Sequence, residues 1–248
     1  VSKTTTYQYD KNGNEISVTD WRNNTYYKTY DGINRLIEKR SPYAIIQRLE
    51  YNLNNCQTQA YDALNNKTQY QYDKNNRLVN TIDGENHMST QGYDNVGNIS
   101  WKADGKGNKT NYEYNSQNKL SKVTNAKNEI TTYSYDLNGN MISQTDGKGN
   151  ITTYEYNAAN LIVRRIDHGG KIEAGGDISY LPEKVESYTY YADGNKKTIT
   201  DRNGKTTIYK YNILDLPLSK AVEDITISYT YDKNGNQLTI TDKSGVIA

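Results

Sequence analysis

A tyrosine recurs every 21 residues, at Tyr9, Tyr30, Tyr51, Tyr72, Tyr93, Tyr114, Tyr135 and Tyr156, and the series resumes at Tyr190, Tyr211 and Tyr231. A fixed period of that length means one supersecondary unit copied along the chain, each copy burying its face against its neighbours. Eight copies carry a second tyrosine two positions before the marker: Tyr7, Tyr70, Tyr112, Tyr133, Tyr154, Tyr188, Tyr209 and Tyr229. A spacing of two puts both rings on one face of a strand.

The residues just after the marker predict a turn. In all copies but the one with Tyr191, the next residue is Asp or Asn, as in Asp10, Asp31, Asn52, Asp73 and Asp136. Such a side chain accepts a backbone N–H and starts a type I turn. Four residues after the marker stand Gly13, Asn34, Asn55, Asn76, Gly97, Asn118, Gly139, Asn160, Gly194, Asp215 and Gly235. These residue types best tolerate the left-handed backbone that a type I turn with a following bulge requires. A second set, Asn23, Asn65, Asn86, Gly107, Asn128, Gly149, Gly204 and Gly245, lies ten residues further on and predicts a second turn per copy. Between turns, segments such as ITTYSYD and MISQTD read as strands of about five to seven residues.

The expected fold is therefore all-β: tandem antiparallel hairpins in a single curved or spiralling sheet, one repeat array over residues 1–248. About 22 strands at ~4.8 Å each would span roughly 100 Å, and open sheets rarely exceed ~10 strands without curling. One copy cannot bury enough surface to stand alone, so the tyrosines are expected to stack in ladders between hairpins. From Tyr156 to Tyr190 the spacing grows, and the glycines and Pro182 there predict an insertion loop around 167–186. The copy with Ser41, Pro42 and Ala44 lacks the second turn signal and is expected to be irregular.

Composition removes other classes. With 25 Tyr, no Phe and 34% hydrophobic residues, a thick two-layer core is not expected. A net charge of +1 and 11% aromatics argue against disorder. The same near-neutral charge, with no basic run longer than two residues, gives no general attraction for nucleic acid or anionic lipid. No apolar stretch is long enough for a membrane-spanning helix and no export signal opens the chain, which reads as a segment of something longer. The single cysteine, Cys56, cannot form an internal disulfide.

These positions recur together in YQYDKNGNEISVTD, YSYDLNGNMISQTDGKGNITTYEYN and YTYDKNGNQLTITD. In this the chain resembles the Rhs or YD-repeat family, whose signature is roughly YxYDxxGNxxxxTDxxGNxT, over nearly its whole length outside the insertion. Similar proteins include bacterial polymorphic and insecticidal-complex toxins, wall-associated proteins and teneurins, in which a long sheet spirals into a hollow shell. The resemblance implies a secreted or cell-surface location, with the rest of a parent shell and an enclosed cargo domain as partners. Toxin members release cargo by self-cleavage at a core segment bearing a DPxG-type motif. No Asp-Pro pair occurs here, so neither that activity nor a cargo domain is expected in this stretch.

No catalytic, cofactor or metal residues are singled out. The Asp-rich turns suggest calcium ligands, as do Asp20, Asp146, Asp201 and Asp242, but the turns lack the flanking acidic residue of a calcium loop and already need Asp for their own geometry. His87 and His168 lie far apart without a zinc-site pattern, and Cys56 stands where other copies have the Asn of a GN pair. The rival reading is a carbohydrate- or receptor-binding adhesion module that stacks sugars on exposed tyrosines, although Trp21 and Trp101 are isolated rather than repeated. Self-association through raw strand edges is also expected. The structural residues are thus the eleven marker tyrosines and the turn glycines Gly13, Gly97, Gly139, Gly194 and Gly235.

Overall fold

A computed structural model describes residues 3–174 and 177–247, in strands and turns with no helix among them. The chain divides into two compact units, Val1–Tyr112 and Glu113–Ala248. The first carries β1 (Thr6–Tyr9), β2 (Glu15–Thr19), β3 (Thr25–Tyr30), β4 (Leu36–Arg40), β5 (Ile45–Tyr51), β6 (Gln57–Asp62), β7 (Lys67–Tyr72), β8 (Leu78–Ile82), β9 (Met88–Tyr93), β10 (Ile99–Ala103) and β11 (Lys109–Tyr114), the division falling inside β11. The second carries β12 (Leu120–Thr124), β13 (Ile130–Tyr135), β14 (Met141–Thr145), β15 (Ile151–Tyr156), β16 (Ile162–Asp167), β17 (Lys171–Ala174), β18 (Asp177–Tyr180), β19 (Lys184–Tyr190), β20 (Lys196–Thr200), β21 (Thr206–Tyr211), β22 (Pro217–Val222), β23 (Ile225–Tyr231), β24 (Gln237–Asp242) and β25 (Gly245–Val246).

Within the first unit each strand pairs antiparallel with the next, from β1 with β2 to β10 with β11. The second unit runs the same way from β12 to β16 and from β19 to β25. The all-β tandem-hairpin architecture read from the period is what each unit contains. Only Ile166 and Ser17, at 8% and 6% exposure, are buried among the described residues. Most tyrosine-face positions are half-buried, as one sheet layer allows.

The two turns of a copy share one geometry. At the first, Asp10 N donates to Asn14 O at 2.9 Å and Gly13 N to Asp10 O at 3.1 Å; at the second, Asp20 N donates to Asn24 O and Asn23 N to Asp20 O, both at 2.9 Å. Gly13 takes a φ of 84° and Asn23 one of 68°. The other Gly, Asn and Asp residues named above at these two positions also have positive φ.

The hairpins across the first turn carry a second irregularity that the spacing did not reveal. Gln8 pairs with Ser17 but Tyr9 pairs with Glu15, leaving Ile16 as an extra residue; the same shift sits beside Tyr30, Tyr51, Tyr72, Tyr135, Tyr156, Tyr190, Tyr211 and Tyr231. Such a bulge lets Glu15 and Ser17, two apart, face opposite sides of the sheet. One extra residue per copy also lets a repeat of odd length, 21 residues, return its tyrosines to the same face.

Several places among the described residues depart from the regular pattern. The insertion is not a plain loop: β17 and β18 form their own two-stranded ribbon, while β16 pairs directly with β19 beneath it. The ribbon continues the hairpin habit because an antiparallel pair satisfies its own backbone groups where a loop would not. Residues 175 and 176, within the expected loop, lie outside the described residues. At the irregular copy, Ser41 replaces the turn Asp: its Oγ accepts from Ala44 N at 3.0 Å and Tyr43 N at 3.3 Å, with a register shift between Lys39 and Arg40. Finally, the 20-residue step from Tyr211 to Tyr231 becomes a two-residue turn, Val222 facing Ile225, with Glu223 at φ 50°.

Candidate functional site

The marker tyrosines act through their hydroxyls. Tyr30 Oη donates to Glu15 O, Tyr51 to Leu36 O, Tyr72 to Gln57 O and Tyr93 to Leu78 O, at 2.7–3.1 Å and always 15 residues back. In the second unit Tyr135 reaches Leu120 O, Tyr156 Met141 O, Tyr190 Ile162 O and Tyr231 Pro217 O, at 2.6–2.8 Å. The accepting residue opens the second strand of the preceding hairpin. The ladder explains why its carbonyl needs a donor. β2 pairs with β3 only from Ser17 to Thr19, so Glu15 lies beyond the last ladder pair. Neighbouring hairpins are thus joined by backbone at the second-turn end and by a phenol at the first-turn end.

The expected ring ladders are absent. Among the described residues one tyrosine pair meets, Tyr191 and Tyr211, edge to face at 6.2 Å. Like strands of adjacent copies are separated by an intervening strand, roughly 10 Å apart, which leaves marker rings in line with one another beyond the usual stacking distance. Arginines fill part of the gap: Arg35 lies 4.6 Å over Tyr51 and Arg77 4.4 Å over Tyr93. Tyr114 is half-buried at the end of β11, and Tyr9, in the first hairpin, is 58% exposed. Burial raises the hydroxyl pKa of Tyr72, Tyr135, Tyr156, Tyr190 and Tyr211. Tyr72→Phe would leave the Gln57 carbonyl without its donor, and we expect a loss of about 1–2 kcal/mol in denaturant unfolding. An unchanged midpoint would mean that the phenol is not the joint.

Turn carboxylates are engaged by the turns themselves. Asp10 Oδ1 accepts from Asn12 N and Asn14 N, both at 2.9 Å, and Oδ2 from Asn14 Nδ2 at 2.9 Å. Asp73 does the same with Asn75 N, Arg77 N and Arg77 Nε. The Asn of the GN pair therefore has a role that position alone did not disclose: it closes the turn onto the Asp, as Asn98, Asn140 and Asn236 also do. Its signal was the recurrence of GN. Further bonds link successive turns, Asn12 and Asn14 Nδ2 to Asn34 Oδ1 at 3.0 and 2.8 Å, and Arg35 Nη1 to Asn55 Oδ1 at 2.8 Å.

These bonds hold the carboxyls of Asp10, Asp20, Asp136 and Asp232 below their ordinary 3.8, the partner Asn amide contributing most; for Asp31 and Asp73 the backbone N–H of Arg35 and Arg77 leads. A folded-state value below the unfolded one adds stability that is present above the unfolded value and lost as pH falls through the folded one. The melting temperature should therefore be flat above about pH 5 and fall steadily below about pH 4. A midpoint that holds constant down to about pH 2 would contradict the shared role of these carboxyls.

The remaining candidates are dispersed. His87 takes the turn-closing position, its Nδ1 3.0 Å from Asp83 Oδ2. His168 sits at the root of the inserted ribbon, Nδ1 2.7 Å from Glu183 Oε1 and Nε2 2.9 Å from Thr153 Oγ1. Cys56 stands in a turn with Sγ 3.8 Å from Asn54 O. No group of three His, Cys, Asp or Glu side chains able to hold a metal ion occurs among the described residues. Tyr188, pushed up to about 12 by burial and by Glu186, lies apart from these. Trp101 pairs across the strands with Gly92 and carries Lys109 Nζ 4.6 Å over its ring. Trp21 lies on a second turn between Lys3 and Arg22. The arrangement offers a repeated structural lattice, with no nucleophile, base and acceptor brought together around an open cleft among the described residues.

The RHS Repeat family model matches residues 114–151 and 135–172, two overlapping stretches that begin one marker period apart. No curated protein matches the sequence. Among solved structures, the Photorhabdus luminescens Tc holotoxin pore carrying a TccC3 point mutation superposes with a TM-score of 0.71 at 15% identity, over 96% of this chain and 15% of that one. The crystal structure of TcdB2-TccC3-TEV superposes with a TM-score of 0.64 at 12% identity, over 98% of this chain and 17% of that one. At these identities the likeness is one of fold. The chain spans less than a fifth of the length of either structure.

Proposed function

Because the chain belongs to the Rhs/YD-repeat family, we propose that it is a stretch of wall in a larger secreted or cell-surface shell protein, and that the shell encloses a toxin or other cargo domain. Its part in this is mechanical and non-catalytic. The observation that carries the reading is the joint between hairpins: marker phenols such as those of Tyr72 and Tyr135 tie their own copy to a backbone carbonyl of the copy before it. Such a joint can be repeated indefinitely, and it makes every copy depend on its neighbours. The turn carboxylates, which would otherwise be the chemistry-bearing groups, are consumed in holding the turns.

Its partners in this role are the remainder of the parent array and the enclosed domain. Electron microscopy of the full-length parent tests this. A closed wall with density inside it is the expected result. A solid rod or extended stalk without a lumen would overturn encapsulation and point instead to the adhesion module.

A further inference from the structure

Four Asn-Gly pairs stand at turn tips: Asn12-Gly13, Asn138-Gly139, Asn203-Gly204 and Asn234-Gly235. We propose that Asn203 is a site of spontaneous deamidation, and that Asn12 and Asn138 are protected from it by the hydrogen bonds that join neighbouring turns.

The chemistry needs only the chain and water. The backbone nitrogen of the glycine attacks Cγ of the asparagine side chain; an N–Cγ bond forms, the glycine N–H proton is given up, and the side-chain nitrogen leaves as ammonia. The resulting succinimide is opened by water at either carbonyl, giving aspartate or isoaspartate. Glycine is the following residue that permits this most readily, because no Cβ shields its nitrogen.

One brake is common to all four pairs. Gly13 N donates to Asp10 O, Gly139 N to Asp136 O, Gly204 N to Asp201 O and Gly235 N to Asp232 O, at 3.0–3.1 Å. The side chains differ. Asn12 Nδ2 donates to Asn34 Oδ1 at 3.0 Å, and Asn138 Nδ2 to Asn160 Oδ1 at 3.1 Å, each reaching the next first turn along the array. Asn203 is held only through its backbone N–H, 2.8 Å from Asp201 Oδ1, and among the described residues its amide reaches no neighbour. Asn203 lies on a second turn, outside the first-turn row. For Asn12 or Asn138 to bring Cγ over the glycine nitrogen, the inter-turn bond must first break.

The test incubates the full chain at mildly alkaline pH and follows four peptides by mass spectrometry, with isoelectric focusing as a second readout, since each event removes one unit from the net charge of +1. Asn203 should convert about two- to tenfold faster than Asn12 and Asn138, the factor contributed by one hydrogen bond of ordinary net strength. Asn34→Gly keeps a residue suited to the φ of 65° there while deleting the acceptor, and should raise Asn12 to the rate of Asn203 without changing Asn138. Asn34→Asp retains an oxygen acceptor and should leave Asn12 slow. Equal rates at Asn12, Asn138 and Asn203, faster conversion at Asn12 or Asn138, or no acceleration in Asn34→Gly would overturn the proposal.

Discussion

Gly169→Ala should destabilise the second unit by about 3 kcal/mol, while Gly170→Ala, one residue on, should change stability by no more than about 0.5 kcal/mol. A Cβ on Gly169 would overlap the backbone carbonyl of Leu181, with Leu181 Cα at 2.8 Å; at Gly170 the nearest atom is Asn150 Oδ1 at 3.4 Å, an ordinary contact. The obstacle at Gly169 is main chain and cannot rotate away. Relieving it separates the two sides of the ribbon root, where Leu181 N donates to Gly170 O at 3.1 Å and His168 N to Ile151 O at 2.9 Å. The β16–β19 pairing begins immediately beyond, with Asp167 opposite Lys184. Urea unfolding gives the magnitude, and hydrogen exchange at Ile166 and Val185 locates it. Equal effects from the two variants would rule out the close approach.

The second large effect lies in the first unit, at the pair Gly92 and Trp101. Gly92 occupies the strand position between the two tyrosine positions, where the other copies carry Gln8, Thr29, Glu50, Gln71, Glu113, Ser134, Glu155, Thr189, Lys210 and Thr230. Its cross-strand partner is Trp101, whose indole lies so close over it that a Cβ would meet Nε1, with Cε2 at 2.6 Å. An aromatic ring laid over a strand glycine compensates for the missing side chain. Gly92→Val should push the ring off the sheet and cost about 2–3 kcal/mol. In a Trp101→Ala background the same change should be neutral or stabilising, because a β-branched residue suits a strand once the space is free. The difference between the two backgrounds is the coupling, of order ~2 kcal/mol. If Gly92→Val costs the same in both, the ring does not cover the glycine.

Both positions show where repetition stops being informative. Gly92 and Trp101 are nine residues apart and each breaks the pattern of its column, yet their contact depends on the strand register, which a bulge shifts beside the turn. Gly169 and Leu181 are brought together only because β16 and β19 close beneath the ribbon. The turn positions were legible for the opposite reason. A left-handed φ is a local demand met by a few residue types, so Asn34 or Gly139 announces it without reference to the rest of the molecule. The role of Asn140 was half legible: GN recurs, but that its amide closes on Asp136 Oδ2 at 2.9 Å and also reaches Asn160 Oδ1 at 2.8 Å required coordinates.

By itself, the order of residues determined the hairpin unit, its two turns, its tandem repetition and the face that carries the tyrosines, because each depends on interactions among residues close in sequence. Tertiary structure alone decided how one hairpin holds the next. Ring stacking was the expectation, and strand spacing works against it; phenols such as those of Tyr72 and Tyr156 instead reach 15 residues back to carbonyls stranded beyond the ends of the ladder. Which carbonyl is left without a donor depends on where two ladders end, and that is a property of paired strands that no single repeat contains.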